Sequence, residues 1–161
     1  MLTELTIKDF ISKVISNDPV PGGGSVSALN GALAAALSAM VANLTVGRKK
    51  YVEVNDLMQE LSARFEKLSQ KLIEDVDRDS DAYNRVFAAF KLPKETDEEK
   101  QVRSEAIQRE TKYAAQVPME VARAVYEVLP QIDAIAQKGN SNAVTDACVS
   151  MMCARTAILG A

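Results

Sequence analysis

The sequence contains no histidine and no tryptophan. The missing histidine excludes Ser-His triads, Cys-His dyads and histidine-ligated metal sites. Acid–base chemistry then falls to a carboxylate, a lysine, a tyrosine or a cysteine. Aromatic residues are 5% of the chain, so a core has to be assembled mostly from Leu, Val, Ala and Met. Cysteine is scarce as well. Cys148 and Cys153 fall ~140° apart around a helix at ~100° per residue, so they do not face each other. They read as packing residues in a reducing, cytoplasmic compartment. The opening MLTELTIKDF has no basic stretch followed by an apolar one, so no signal peptide is read there. A net charge of −3 opposes a general nucleic-acid surface. The 161 residues fit one domain with a core of its own.

What is present is helical. Ile7, Phe10, Ile11, Val14 and Ile15 recur at helical spacing between about Thr6 and Ser16. Asn17 to Gly24, with two prolines and three glycines, breaks that pattern. Ser25–Gly47 then runs without a single charge. Its length suits a membrane span, but it is rich in Ala, Ser, Asn and Gly and lacks an aromatic belt. The preferred reading is a helix buried on all sides, with Ala28, Ala32, Ala35, Ala36, Ala39 and Ala42 admitting close neighbours. Gly47 is its stop, and Arg48-Lys49-Lys50 suit the negative end of the helix dipole. A long helix follows from Glu53 to about Leu92, ended by Pro93. Thr96-Asp97-Glu98-Glu99 is a capping box, and Pro118 is expected to kink or divide the helix it opens. Another helix runs towards Gly139, and a last one from near Ser141 to Ala161. The expected fold is an all-α, up-and-down bundle of about five helices around the Ala-rich one.

Asp79 occupies a stripe position among Leu61, Phe65, Leu68, Leu72, Val76, Tyr83, Val86 and Phe90. Leu61, Leu72 and Phe90 lie within ~20° of it, whereas Asp77 and Asp81 point ~160° away. A carboxylate on an apolar stripe needs partners, and burial suits it to proton transfer. The alternative is a partly exposed aspartate near Arg78 or Arg85, or a satisfied structural carboxylate. Pro21-Gly22-Gly23-Gly24-Ser25 places free backbone amides where an anion or ligand could approach. It is neither a Walker A sequence nor a dinucleotide fingerprint, and the alternative is a tight inter-helix connection. Asn140 and Asp146 belong to a second polar helix start, explained mostly by capping.

Taken together, PGGGSVSALNGALAAALSAMVANLTVGRKKY, VDRDSDAYNRVFAAFKLPKETDEEKQVR, VPMEVA and GNSNAVTDA resemble the cyclodeaminase family. This is the C-terminal domain of formiminotransferase-cyclodeaminase, and it includes stand-alone methenyltetrahydrofolate cyclohydrolases. The resemblance implies an all-helical homodimer acting on folate one-carbon derivatives, with no metal or redox cofactor, no membrane and no nucleic acid. It implies cyclisation of 5-formiminotetrahydrofolate to the 5,10-methenyl form with loss of ammonia, or hydrolysis of the methenyl form. It also implies a formiminotransferase as partner. Asp79 is the residue it marks as catalytic. Pro21, Gly22, Gly23, Gly24 and Ser25 would contact the folate, Lys49 or a neighbouring cation its glutamate tail, and Asn140 and Asp146 the rim. Family members continue with a further helix beyond the point matched by Ala161. The contrasting functional classes are a non-catalytic folate- or anion-binding bundle and a helical dimerisation module.

Overall fold

The computed structural model describes Met1–Ala161 and contains six α-helices: α1 (Ile7–Ile15), α2 (Gly23–Asn43), α3 (Asn55–Phe90), α4 (Asp97–Tyr126), α5 (Leu129–Lys138) and α6 (Val144–Gly160). There is no strand. Helices α2 to α6 pack on one another, and α1 is a short arm at the edge. Neighbours alternate in direction. Ser25 meets Ser80 while Ser62 reaches Asn43, so α2 and α3 are antiparallel. Arg78 reaches Glu120 and Arg103 reaches the Phe90 carbonyl, so α3 and α4 are too. Ser38 meets Ser150 and Gly160 lies against Ser27, so α6 runs against α2.

The uncharged helix is the spine. Ala28, Ala32, Ala34, Ala35, Ala39 and Ala42 are buried on it. Its hydroxyls are satisfied locally or across the interface: Ser38 and Ser150 lie 2.8 Å apart, and Ser150 also donates to the Ala34 carbonyl. Ser69 of α3 donates to the Ala32 carbonyl. Such bonds remove the penalty of burying polar groups. By length and composition, α2 and the stretch Ser141–Gly160 could each cross a membrane. In the fold α2 is enclosed by α3 and α6 instead. The outer side of α6 keeps Val149, Met152 and Leu159 exposed.

At Gly31 four helices converge. A Cβ there would come within 3.0 Å of Val125 on α4, 3.2 Å of Leu72 on α3 and 3.6 Å of Ala157 on α6. All three neighbours are buried and cannot yield cheaply. Gly31→Val is therefore expected to lower the unfolding free energy by about 2–3 kcal/mol, read as a fall in the urea midpoint.

Several sequence expectations need correction. Pro118 does not divide α4, which continues from Asp97 to Tyr126. Proline removes one helical hydrogen bond, and the buried Val117, Val121 and Val125 hold the helix on either side of the gap. The apolar stripe of α3 weakens beyond Asp79, where Tyr83 is 43% and Phe90 51% exposed. Ala36 faces outward. Cys148 is exposed rather than packed, and both cysteines are free. Helix α2 ends at Asn43, before Gly47. Gly47 nonetheless carries the positive φ of 73° that turns the chain towards α3.

Candidate active site

The turn before α2 and the middle of α3 form one small cleft. Gly22 is the N-cap of α2 and offers no side chain to cap it. The first amides of α2 therefore lack intrahelical acceptors and carry the positive end of the helix dipole. Asp79 reaches this turn from α3. Ser25, fully buried in the first turn of α2, donates its hydroxyl to Asp79 Oδ2 at 2.8 Å. The Ser80 hydroxyl lies 3.0 Å from Ser25 Oγ and completes a short polar relay. Gly24 lies directly against the Asp79 carboxylate, with no room for a side chain between them.

Asp79 makes no ion pair. Neither Arg78 nor Arg85 pairs with it, and its half-buried setting and Ser25 hydrogen bond fit a satisfied structural carboxylate as well as a catalytic one. Arg78 instead binds Asp75 at 3.0 Å and Glu120 at 2.6 Å. Its Nε donates to the Tyr113 hydroxyl at 3.2 Å. Tyr113, then Glu120 and Asp75, hold the Arg78 proton more firmly than usual. Asp77 is spent on the N-terminal segment, where it accepts from Thr3 Oγ1 at 2.6 Å. Asp81 is exposed. Asp79 is half-buried, makes no ion pair and lines the cleft beside the glycine turn, whereas Asp77 and Asp81 border a different cleft with Met1, Arg78 and Tyr113.

The cleft encloses about 290 Å3. Gly22, Gly23 and Gly24 form one wall, Asp79 and Tyr83 another, and Ala114 and Pro118 of α4 a third. Pro118 has no N–H to offer the Ala114 carbonyl, the acceptor one helical turn earlier. An interior helix position thus brings an acceptor without its usual donor to the cleft wall. Sequence reasoning named neither Ser80 nor Ala114 as a site residue. Pro118 was the available signal for the second, because a helix-interior proline has a local cost that packing alone does not explain.

A family model described as formiminotransferase-cyclodeaminase matches residues 6–161. The chain belongs to the formiminotransferase-cyclodeaminase family. Among its relatives, a methenyltetrahydrofolate cyclohydrolase of Methylorubrum extorquens is 41% identical over 149 residues, 92% of this chain and 72% of that one. A formimidoyltransferase-cyclodeaminase of Rattus norvegicus is 34% identical over 160 residues, 99% of this chain but only 30% of the rat protein. The solved structure of a formiminotetrahydrofolate cyclodeaminase from Thermotoga maritima superposes with a TM-score of 0.79 at 29% identity, covering 99% of this chain and 79% of that one.

In this member of the cyclodeaminase family the remaining expected site residues lie elsewhere. Lys49 and Asn140 share a different cleft, beyond the C-terminal end of α2. The 21 residues of α2 separate the two ends, which is ~30 Å at ~1.5 Å per residue. Asp146 is half-buried in the first turn of α6, ~20 Å along that helix from the Asp79 cleft. Within one chain neither Lys49, Asn140 nor Asp146 reaches Asp79. Sequence order gives no indication of which end of a bundle a loop will occupy.

Proposed function

We propose that the chain is a folate one-carbon enzyme that closes or opens the bridge between N5 and N10 of tetrahydrofolate. The observation that carries this reading is Asp79 held by Ser25 against the glycine turn of α2. In the closing direction N10 attacks the formimino carbon of 5-formiminotetrahydrofolate and loses its proton. The resulting tetrahedral carbon expels its amine as ammonia after gaining a proton, leaving the methenyl cation. In the opening direction water adds to the methenyl carbon and loses one proton; the hydroxyl then gives up its second proton as N5 takes one, and the C–N5 bond breaks to give 10-formyltetrahydrofolate. Both routes pass through one tetrahedral carbon and need one group that gives and takes protons.

Asp79 fills that role. The Ser25 hydroxyl fixes one carboxylate oxygen and leaves the other for the reacting group. Its negative charge favours the cationic methenyl carbon. The glycines from Gly22 to Gly24 let a flat ring approach the backbone, and their free amides meet its polar edge. The relatives named for cyclohydrolase and cyclodeaminase activity support the same chemistry. In the cytoplasm, a formiminotransferase would supply the formimino substrate, as the name of the rat relative suggests. The enzyme would act as a homodimer, a reading supported by the apolar residues left bare on α1, with Ile7 82% and Ile15 78% exposed.

The test is an absorbance assay with 5-formiminotetrahydrofolate and 5,10-methenyltetrahydrofolate in parallel, following growth and decay of the methenyl chromophore. Turnover of at least one substrate is expected. Turnover of neither refutes the proposal, and tight binding of 5-formyltetrahydrofolate without turnover would mark a binding module instead.

A further inference from the structure

A proline inside a helix leaves one carbonyl without its usual donor, and here that gap borders the Asp79 cleft. Pro118 lies within α4, which runs unbroken from Asp97 to Tyr126. It has no N–H for the Ala114 carbonyl one turn earlier, and its ring crowds that carbonyl. No side chain compensates, since every side chain that bonds a backbone carbonyl reaches a different residue. Ala114 and Pro118 are both half-buried, and both line the cleft with Asp79. A half-buried acceptor short of a donor is costly to keep. A ligand that brings the donor recovers what the helix forgoes.

The gap is held in place from α3. Arg78, next in sequence to Asp79, donates through Nε to the Tyr113 hydroxyl at 3.2 Å and through Nη2 to Glu120 at 2.6 Å. These two partners bracket the gap, because Tyr113 precedes Ala114 and Glu120 follows Pro118. Arg78 Nη1 is tied back to the buried Asp75 of its own helix at 3.0 Å. Its guanidinium also lies 5.7 Å from the centre of the Tyr113 ring. The neighbour of Asp79 thus fixes the stretch of α4 that carries the carbonyl. Val117 and Val121, fully buried, keep that stretch from rolling. Packing accounts for the valines and the ion pairs, but not for a proline set between them.

We infer that the Ala114 carbonyl, released by Pro118, is a second acceptor of the active site and receives an N–H of the amine that leaves as ammonia. The inference rests on the folate reading and adds a specificity element to it. Asp79 gives the amine its proton, the C–N bond breaks, its electron pair departs with ammonia, and a nitrogen lone pair of the folate completes the methenyl cation. The protonated amine is a charged donor, so a carbonyl holds it more strongly than the neutral hydroxyl formed when water adds. The carbonyl therefore favours release of ammonia over hydrolysis. Pro118→Ala tests this, because it returns the missing N–H and engages the carbonyl within the helix. It is expected to raise the melting midpoint while lowering kcat about tenfold for 5-formiminotetrahydrofolate and about threefold or less for methenyl hydrolysis. Lactic acid placed at position 118 by stop-codon suppression has the side chain of alanine but an ester oxygen in place of the N–H. It should restore kcat for 5-formiminotetrahydrofolate to near that of wild type. Equal rates in wild type and Pro118→Ala overturn the inference. So does a fall by the same factor in both directions, or an ester variant no faster than Pro118→Ala. A wild type that hydrolyses the methenyl form but releases no ammonia overturns it too. All four outcomes leave the folate reading standing, whereas a wild type that turns over neither folate removes both.

Discussion

Asp79→Asn is expected to slow folate turnover by ~10²–10⁴-fold, the usual contribution of a positioned acid–base group. Asparagine keeps the size of aspartate and still accepts the Ser25 hydroxyl, so the fold should hold. The variant loses the ability to exchange a proton at the tetrahedral carbon. Folate affinity should change little for a neutral substrate and fall modestly for the cationic methenyl form, whose charge then lacks a partner. The measurement is kcat with both folates beside a thermal melt. A kcat equal to wild type would remove Asp79 from the mechanism, and loss of the melt transition would mean the residue is structural.

Gly24→Ala should damage the same step from the other side. A methyl group at Gly24 would overlap the Asp79 carboxylate itself. The carboxylate can turn away, so the fold survives, but its bond to Ser25 does not. Displacing a reacting group by ~1 Å can cost ~10²-fold, and kcat is expected to fall by about that factor. Gly23→Ala provides the contrast, since a Cβ there meets nothing within 4 Å. Any effect of Gly23→Ala should therefore appear in KM, through the approach of substrate, and leave kcat close to wild type. Equal losses of kcat in the two variants would show that the glycines matter for backbone freedom and not for seating Asp79.

The legible and illegible parts of this protein divide along physical lines. Helix periodicity and capping are local, so α1 to α6 could be read from spacing, Pro93, Gly47 and the Thr96 box. The absence of charge from Ser25 to Gly47 marked the spine, but the expected burial on all sides does not hold, since Leu33, Ala36 and Met40 face outward. Asp79 stood out as a carboxylate in a row of apolar side chains. Asp75 did not, although it is only 2% exposed. Its burial depends on Lys71 and Arg78 closing over it, at 2.9 and 3.0 Å, and that closure is a tertiary event. The cleft around Lys49 and Asn140 was equally hidden. Each motif was visible, but their union depends on the exit of α2 meeting the entry to α6, which only the packed bundle decides. Of the two outcomes expected at Pro118, a kink or a division, division does not occur, because the buried valines flanking it keep α4 continuous.

The spine has a consequence for how solution conditions act on the molecule. From Gly23 to Asn43 α2 carries no ionisable side chain; midway along it the Ser38 hydroxyl meets only Ser150, while Ser25 at its start donates to the Asp79 carboxylate. Protons and salt therefore have nothing to grip along the axis of the bundle. The charge nearest α2 gathers at its two extremities, Asp79 beside its start and Arg48, Lys49 and Lys50 beyond its end. The carboxylate and the cations are thereby held ~30 Å apart on a common mount whose own side chains carry no charge.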